Sequence, residues 1–233
     1  MKKILFLDFD GVLFDTLDEA YQVCIHTKTF KNKFFSDSNF KLFKTYRSLV
    51  GPAWNYYYIL NAILNGISPK LKKFEYTEEA KVFEKDFFLT RTKLKKNNYK
   101  NWLALNKKYH FLNELERVIS KNIDIYIITT KDKQTVLDLL QENNIEWISS
   151  KKIFGQETFS QYGSKREVIL SVLINNAYTA IFLDDLYTHL KACENIQNLQ
   201  LIQPNWGYID KKSQYIYNVH DVLSIIKDLG GSL

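Results

Sequence analysis

The sequence predicts an α/β protein in which a helical domain is inserted into a doubly wound parallel sheet. Short apolar runs recur along the chain, and each is followed by polar residues and then by a segment with helical periodicity. Alternating strands and helices favour a parallel sheet with right-handed crossovers. Residues 17–106 break this alternation, because they carry helical periodicity and no convincing buried strand.

The strongest predicted strand is Ile4–Phe9, an almost entirely apolar run whose end carries Asp8, Asp10 and Gly11. Two further strands end in polar residues: Ile123–Ile128 before Thr129, Thr130 and Lys131, and Ala180–Leu183 before Asp184 and Asp185. Weaker strands are predicted near Lys152–Phe154 and Leu199–Ile202. The predicted helices share an apolar stripe at helical spacing: Lys133–Glu142, Lys165–Leu173 behind a turn and cap at Gly163 and Ser164, and Thr188–Glu194.

The polar residues at the strand ends are the main functional signal. In a doubly wound sheet, ligands bind just beyond the carboxyl ends of the strands. The clusters after the three strongest strands are therefore expected to converge in space, although they lie far apart in the sequence.

The inserted segment is rich in Phe, Tyr and Lys and is predicted to form a helical cap domain over residues 17–106, with the core formed by residues 1–16 and 107–233. Phe14–Leu17 and Lys95–Asn106 are predicted as its connectors. Within the insert, one set of residues forms either a specificity patch or a helical interior with a loop: Arg47, Gly51, Trp54, Asn55 and Tyr58.

Composition narrows the class of protein. The 233 residues carry a net charge of +6, but lysine is spread along the chain, which favours a solvated surface over a nucleic-acid interface. No run approaches the roughly 20 uncharged apolar residues that a membrane helix needs. Cys24 and Cys193 lie far apart without metal-binding or disulfide spacing, so a reducing cytoplasm is the simpler interpretation. The sequence carries no signal for an oligomeric state.

Two aspartates at a strand end suit phosphoryl transfer. One carboxylate can attack phosphorus to form an aspartyl-phosphate, while the other gives and takes the proton of the leaving group. Because nucleophile and substrate are both anionic, a cation must reduce their repulsion. Mg²⁺, which prefers oxygen ligands, is the predicted cofactor.

Four ordered motifs resemble those of the haloacid dehalogenase-like superfamily with a helical C1-type cap. They are DFDGVLFDT at Asp8–Thr16, IIT at Ile127–Thr129, Lys165 in GSKREVIL, and FLDDLYTHLKAC at Phe182–Cys193. The first motif is highly specific to the family. The isolated threonine and lysine support the resemblance only because they follow it in the expected order. The resemblance implies a Rossmann-like core and a phosphatase that acts on a small phosphorylated substrate.

The resemblance also implies roles for individual residues. Asp8 corresponds to the nucleophile and a metal ligand, and Asp10 to the general acid/base whose backbone carbonyl also contacts the metal. Asp185 corresponds to the metal-binding aspartate. The remaining candidates in the core bind phosphate or offset its charge: Gly11, Thr129, Thr130 through its amide, and Lys165. Arg47, the donor of the patch in the insert, is a further candidate for phosphate binding and does not come from the resemblance.

The fourth motif departs from the common pattern of the family. Asp184 replaces a frequent glycine, as in the Asp-Asp variant of the motif, and is expected to support the metal ligands. Where many relatives carry a second acid, this chain has His189. Its imidazole is expected either to orient a metal-bound water or to face solvent.

Several alternatives to a phosphatase stay open at this point. A phosphomutase would use the same intermediate, and a non-catalytic module could retain a phosphate pocket. Phosphonate cleavage would require a lysine in the cap, and the positive charge also allows a phosphatase for nucleic-acid ends. A dehalogenase has no need of a leaving-group acid, so Asp10 argues against it.

Overall fold

The computed structural model describes residues 1–69, 73–174, 177–209 and 213–231. The chain forms two compact units. The first is Met1–Asp15 together with Lys108–Leu233, and the second is Thr16–Lys107. None of the described helices is both long enough and apolar enough to cross a membrane.

The strands share an extended backbone and are, in chain order, β1 (Lys2–Leu7), β2 (Phe14–Asp15), β3 (Lys107–Lys108), β4 (Ile123–Ile128), β5 (Ile153–Phe154), β6 (Tyr178–Leu183), β7 (Leu199–Pro204) and β8 (Ile216–Tyr217). Six of them form the sheet of the first unit in the order β5-β4-β1-β6-β7-β8. All its neighbouring strands pair in parallel. Because β1 lies between β4 and β6, the ends of the three strongest predicted strands are neighbours.

The α-helices of the second unit are α1 (Leu17–His26), α2 (Asp37–Tyr46), α3 (Asn55–Leu64), α4 (Glu78–Asn97) and α5 (Tyr99–Ala104). Those of the first unit are α6 (His110–Val118), α7 (Lys133–Glu142), α8 (Phe159–Tyr162), α9 (Lys165–Leu173), α10 (Tyr187–Lys191) and α11 (Val219–Gly230). Short 3-10 turns lie at Arg47–Leu49, Ser150–Lys152 and Gln156–Thr158.

The core of the first unit covers both faces of the sheet. Ile4 and Phe6 of β1 pack into a buried cluster with Val168 and Ile169 of α9 and Leu190 of α10. On β1 the alternate side chains point to the opposite face and are also buried, and α11 packs against β1, β6 and β7. Burial on both faces explains why these strands read as continuous apolar runs.

The predicted fold class, a doubly wound parallel sheet, is confirmed. The bounds of β4, α7 and α9 agree with the predictions, whereas β1 ends at Leu7, earlier than predicted. The predicted connector Lys95–Asn106 is wrong, because α4 continues to Asn97 and α5 follows. Asn98 caps α5, its side-chain oxygen accepting a hydrogen bond from the Asn101 amide at 3.1 Å.

Candidate active site

Asp8 and Asp184 lie side by side at the carboxyl ends of β1 and β6. In the parallel register Leu7 is opposite Leu183, so the next residue of each strand is an aspartate. The Asp8 amide donates a hydrogen bond to the Leu183 carbonyl at 2.9 Å, which holds Asp8 against the neighbouring strand. Both side chains are buried, with 6% and 0% of the residue exposed. Burying two neighbouring carboxylates requires a compensating charge.

Lys165 supplies that charge. Its Nζ lies 2.9 Å from Asp8 Oδ1 and 2.8 Å from Asp184 Oδ2. Lys165 is the first residue of α9, and the preceding Ser164 caps this helix by accepting a hydrogen bond from the Glu167 amide. The ammonium group therefore projects from the start of a fixed helix between the two carboxylates.

The electrostatics of this network distinguish its members. Burial raises the pKa of Asp8, Lys165 lowers it and Asp184 raises it again, with a net value of about 6. Burial also raises the pKa of Asp184, but His189 and Lys165 outweigh that effect and hold it below its usual range. Burial lowers the pKa of Lys165, yet the two carboxylates raise it overall, so the lysine stays charged. Of these two carboxylates, Asp8 is therefore the one whose negative charge is less fully compensated by its neighbours.

His189 lies beside Asp184. Its Nδ1 is 3.0 and 3.1 Å from the two carboxylate oxygens of Asp184. Ligand atoms of Asp8, Asp184 and His189 all lie within 4.8 Å of one another, as in a metal site. Because the Lys165 ammonium already bridges the two carboxylates, we interpret this group as an ion-pair network. His189 thus contacts Asp184, and its orientation of a metal-bound water stays a prediction.

Asp185 points toward the turn that follows β1. A Cβ atom added to Gly11 would lie 2.0 Å from Asp185 Oδ2, and Gly11 has a φ of +84°, so this position requires glycine on two grounds. The Tyr208 amide donates a hydrogen bond to Asp185 Oδ2 at 2.6 Å, and the Gln203 side chain donates one to the Asp185 carbonyl at 2.9 Å. The carboxylate is therefore held close to Gly11.

Gly207 allows the loop after β7 to lie close to Asp185 and Gly11. A Cβ atom at Gly207 would lie 2.5 Å from Asp185 Cβ and 2.5 Å from the Gly11 carbonyl oxygen. The neighbouring Trp206 donates a hydrogen bond from Nε1 to the Val12 carbonyl at 3.1 Å, which ties the loop after β7 to the turn after β1. Sequence reasoning missed this loop, although a glycine between two aromatic residues after a strand was an available signal.

The segment after β4 contributes Thr129 and Lys131. Thr129 is buried, and its hydroxyl oxygen accepts a hydrogen bond from the Lys131 amide at 3.2 Å. Lys131 Nζ lies 3.1 Å from Asp10 Oδ1. Thr130 is half-buried beside them. Sequence reasoning noted Lys131 as part of the polar cluster but did not include it among the site residues.

The donor set fits a divalent cation. The hard oxygen ligands in this set are the carboxylates of Asp8 and Asp185 and the carbonyl of Asp10, which precedes Gly11 in the turn next to Asp185. The four aspartates 8, 10, 184 and 185 carry a formal charge of −4, while Lys131 and Lys165 supply +2. One divalent cation would balance this difference.

Arg47 lies in the second unit and is buried there. Its Nη1 donates a hydrogen bond to the Val50 carbonyl at 3.0 Å, and its guanidinium lies 5.7 Å from the centre of the Tyr56 ring. Asn55 is also buried, and its side-chain oxygen accepts a hydrogen bond from the Gly51 amide. These contacts agree with a helical interior and a loop, the second of the two interpretations of this set. Phosphate binding by Arg47 stays a prediction.

The fold is shared with several solved structures. A haloacid dehalogenase-like family hydrolase from Streptococcus pneumoniae superposes with a TM-score of 0.63 at 19% identity, over 96% of this chain and 98% of that one. A predicted phosphoglycolate phosphatase from Haemophilus somnus gives 0.66 at 16%, over 96% and 97%. Protein Tyrosine Kinase A from Mycobacterium tuberculosis gives 0.62 at 18%, over 98% of both chains.

These similarities confirm that the chain has the fold of haloacid dehalogenase-like hydrolases, as the motifs predicted. No protein-family model matches the sequence, and no curated protein matches it. Since the identities are all below 20% and the names of the three proteins differ, the activity has to be argued from the site.

Proposed function

We propose that this protein is a Mg²⁺-dependent phosphatase that hydrolyses a small phosphorylated metabolite in the cytoplasm through an aspartyl-phosphate on Asp8. The observation that carries the proposal is the buried carboxylate of Asp8 at the edge of the sheet, held through Oδ1 by the Lys165 ammonium at 2.9 Å and by the Phe9 amide at 2.7 Å. Among the described residues, both of these contacts go to Oδ1, so Oδ2 is the oxygen available for attack.

In the first step, Asp8 Oδ2 forms a bond to phosphorus while the bond from phosphorus to the leaving oxygen breaks. Asp10 gives its proton to that oxygen, so that the product leaves as an alcohol. In the second step, Asp10 takes a proton from water, which attacks phosphorus and breaks the bond to Asp8. Thr129 and the Thr130 amide are proposed to donate hydrogen bonds to the phosphoryl oxygens, and Lys165 to stabilise their charge.

Asp8, the Asp10 carbonyl and Asp185 are proposed to hold Mg²⁺. When bound, the cation would reduce the repulsion between the nucleophile and the phosphoryl group. Asp184 and His189 are proposed to support this site by fixing Lys165. The second unit, which begins at Thr16 after β2, is proposed to act as the cap that determines specificity.

A panel of phosphoesters assayed with Mg²⁺ and with EDTA tests the activity. We expect phosphate release that requires the metal and is lost in Asp8→Asn. Acid quenching with a ³²P-labelled substrate should trap label on the peptide that contains Asp8, and hydroxylamine should remove it, as expected of an acyl-phosphate.

The panel also separates the alternatives. A phosphomutase would form an isomeric phosphoester in place of free phosphate. A binding module would release no phosphate from any substrate and would take up no label. Either result would overturn the proposed hydrolysis.

A further inference from the structure

Lys131 presents a second buried ammonium group at the same edge of the sheet. It lies three residues beyond the end of β4, and only 1% of its side chain is exposed. Its Nζ is 3.1 Å from Asp10 Oδ1 and 3.5 Å from Asp10 Oδ2, in a residue 121 positions away in the sequence. The side chain of Asp10 is 16% exposed and is therefore less deeply buried than that of Lys131.

The backbone of Lys131 is held on both sides of the residue. Its amide donates a hydrogen bond to the Thr129 hydroxyl at 3.2 Å, and its carbonyl accepts one from the Gln156 amide at 2.9 Å. Gly155 packs so closely on this backbone that a Cβ atom there would lie 3.0 Å from the Lys131 carbonyl oxygen. A lysine side chain normally has large rotamer freedom, but here it starts from a fixed point and is buried along its length.

Both buried lysines of the site form ion pairs with aspartates. Lys165 pairs with Asp8 and Asp184, and Lys131 forms an ion pair with Asp10. A buried ammonium group at this distance interacts directly with the charge of the carboxylate. Lys131 is therefore placed to act on Asp10.

We propose that Lys131 is a positioning residue for Asp10, which holds the carboxylate in place for proton transfer and stabilises its negative charge as the proton leaves. This inference rests on the proposed function, in which Asp10 protonates the leaving oxygen. As the proton moves from Asp10 to that oxygen, the carboxyl group becomes a carboxylate. A fixed ammonium ion at 3.1 Å lowers the energy of this charge without reorganisation of solvent.

The proposal makes a prediction that depends on the leaving group. A phosphoester with an alkyl leaving group requires protonation, because an alkoxide is a strong base. p-Nitrophenyl phosphate has little need of it, because nitrophenolate is stabilised by its ring. Loss of Lys131 should therefore affect the alkyl ester far more than the aryl ester.

Lys131→Met tests this prediction against Lys152→Met as the matched control. Lys152 also pairs with an aspartate of the first unit, Asp124, but at the opposite end of β4. For Lys131→Met we expect kcat/KM, which reports the step in which the leaving group departs, to fall about 100-fold with a C2 or C3 alkyl phosphate, within the range of general acid catalysis. With p-nitrophenyl phosphate the loss should stay below about tenfold. Lys131→Arg should recover part of the alkyl rate, and Lys152→Met should behave as wild type.

A double-mutant cycle with Asp10→Asn completes the test. If Lys131 acts through Asp10, adding Lys131→Met to Asp10→Asn should cause little further loss. Equal losses for both esters, or additive losses in the cycle, would overturn the positioning role. If Lys131→Met does not fold, Lys131→Gln and Lys131→Arg carry the same comparison. A wild-type protein that is inactive on both esters would instead refute the proposed phosphatase, and with it the role of Lys131.

Discussion

Replacing Lys165 by methionine removes the ammonium ion that separates two buried carboxylates. At an effective dielectric constant of about 20, each contact at about 2.9 Å is worth about 6 kcal/mol before desolvation. Desolvation of three buried charges offsets most of this attraction. The net loss expected on breaking such a buried network is about 3–5 kcal/mol at pH 8.

The same substitution should make stability depend more strongly on pH. Lys165 lowers the pKa of both aspartates, so its loss raises both values. A carboxylate whose pKa is higher in the folded state than in the unfolded state stabilises the fold when protonated, and this contribution is lost as the pH rises through the folded pKa. The pKa of Asp8 is already about 6 in the presence of Lys165. Lys165→Met should therefore be least destabilising near pH 5 and most destabilising at pH 8.

Hydrogen exchange of β1 and β6 measures this effect where it arises. The amides of Asp8 and Asp184 are bonded to the neighbouring strands, so their exchange reports opening of the site. Lys152→Met is the control, because its partly exposed pair with Asp124 should contribute only about 0–1 kcal/mol. A Lys165→Met protein as well protected as this control at pH 8 would refute the reasoning.

Three further predictions concern the metal site. Mg²⁺ should raise the Tm of the wild-type protein and leave that of Asp185→Asn unchanged in differential scanning fluorimetry; equal shifts would exclude Asp185 as a ligand. Gly207→Ala should lower Mg²⁺ affinity by about tenfold or more in calorimetry, because its Cβ would lie 2.5 Å from Asp185 Cβ; unchanged affinity would show that the loop can yield. The acid limb of kcat/KM should lie near pH 6 at low Mg²⁺, where Asp8 protonates, and should move to lower pH as Mg²⁺ saturates; a limb independent of Mg²⁺ would contradict this assignment.

The sequence predicted the parts of the site that follow directly from strand burial. Ile123–Ile128 and the run before Asp184 are apolar because helices cover both faces of the sheet, so the polar residues that end them stand out. Parallel pairing then brings those ends to one edge. This reasoning requires no knowledge of side-chain direction, which is why it identified Asp8 and Thr129 together.

The missed parts depend on packing between distant segments. Nothing local to Lys131 indicates that its ammonium group reaches Asp10 rather than solvent, as most lysines do. Likewise, Tyr208 holds Asp185 through its backbone amide, which any residue type could supply. The two-residue strand β8 is too short to show a period, and the helix α5 was hidden by polar residues that cap and cover it.

The position of Lys165 in its helix indicates that the residue serves the neighbouring carboxylates and not the helix itself. Lys165 is the first residue of α9, so its positive charge lies at the positive end of the helix dipole. This position is unfavourable for a charged lysine. Burial of the ammonium group adds a second cost, because it removes the charge from water. A residue with an uncharged side chain would avoid both costs but would leave the buried carboxylates of Asp8 and Asp184 without a counter-charge. The lysine is therefore best explained by the two carboxylates with which it pairs, since the stability of α9 gives no reason for it. Under the proposed function, the same ammonium group stabilises the charge of the transferring phosphoryl oxygens.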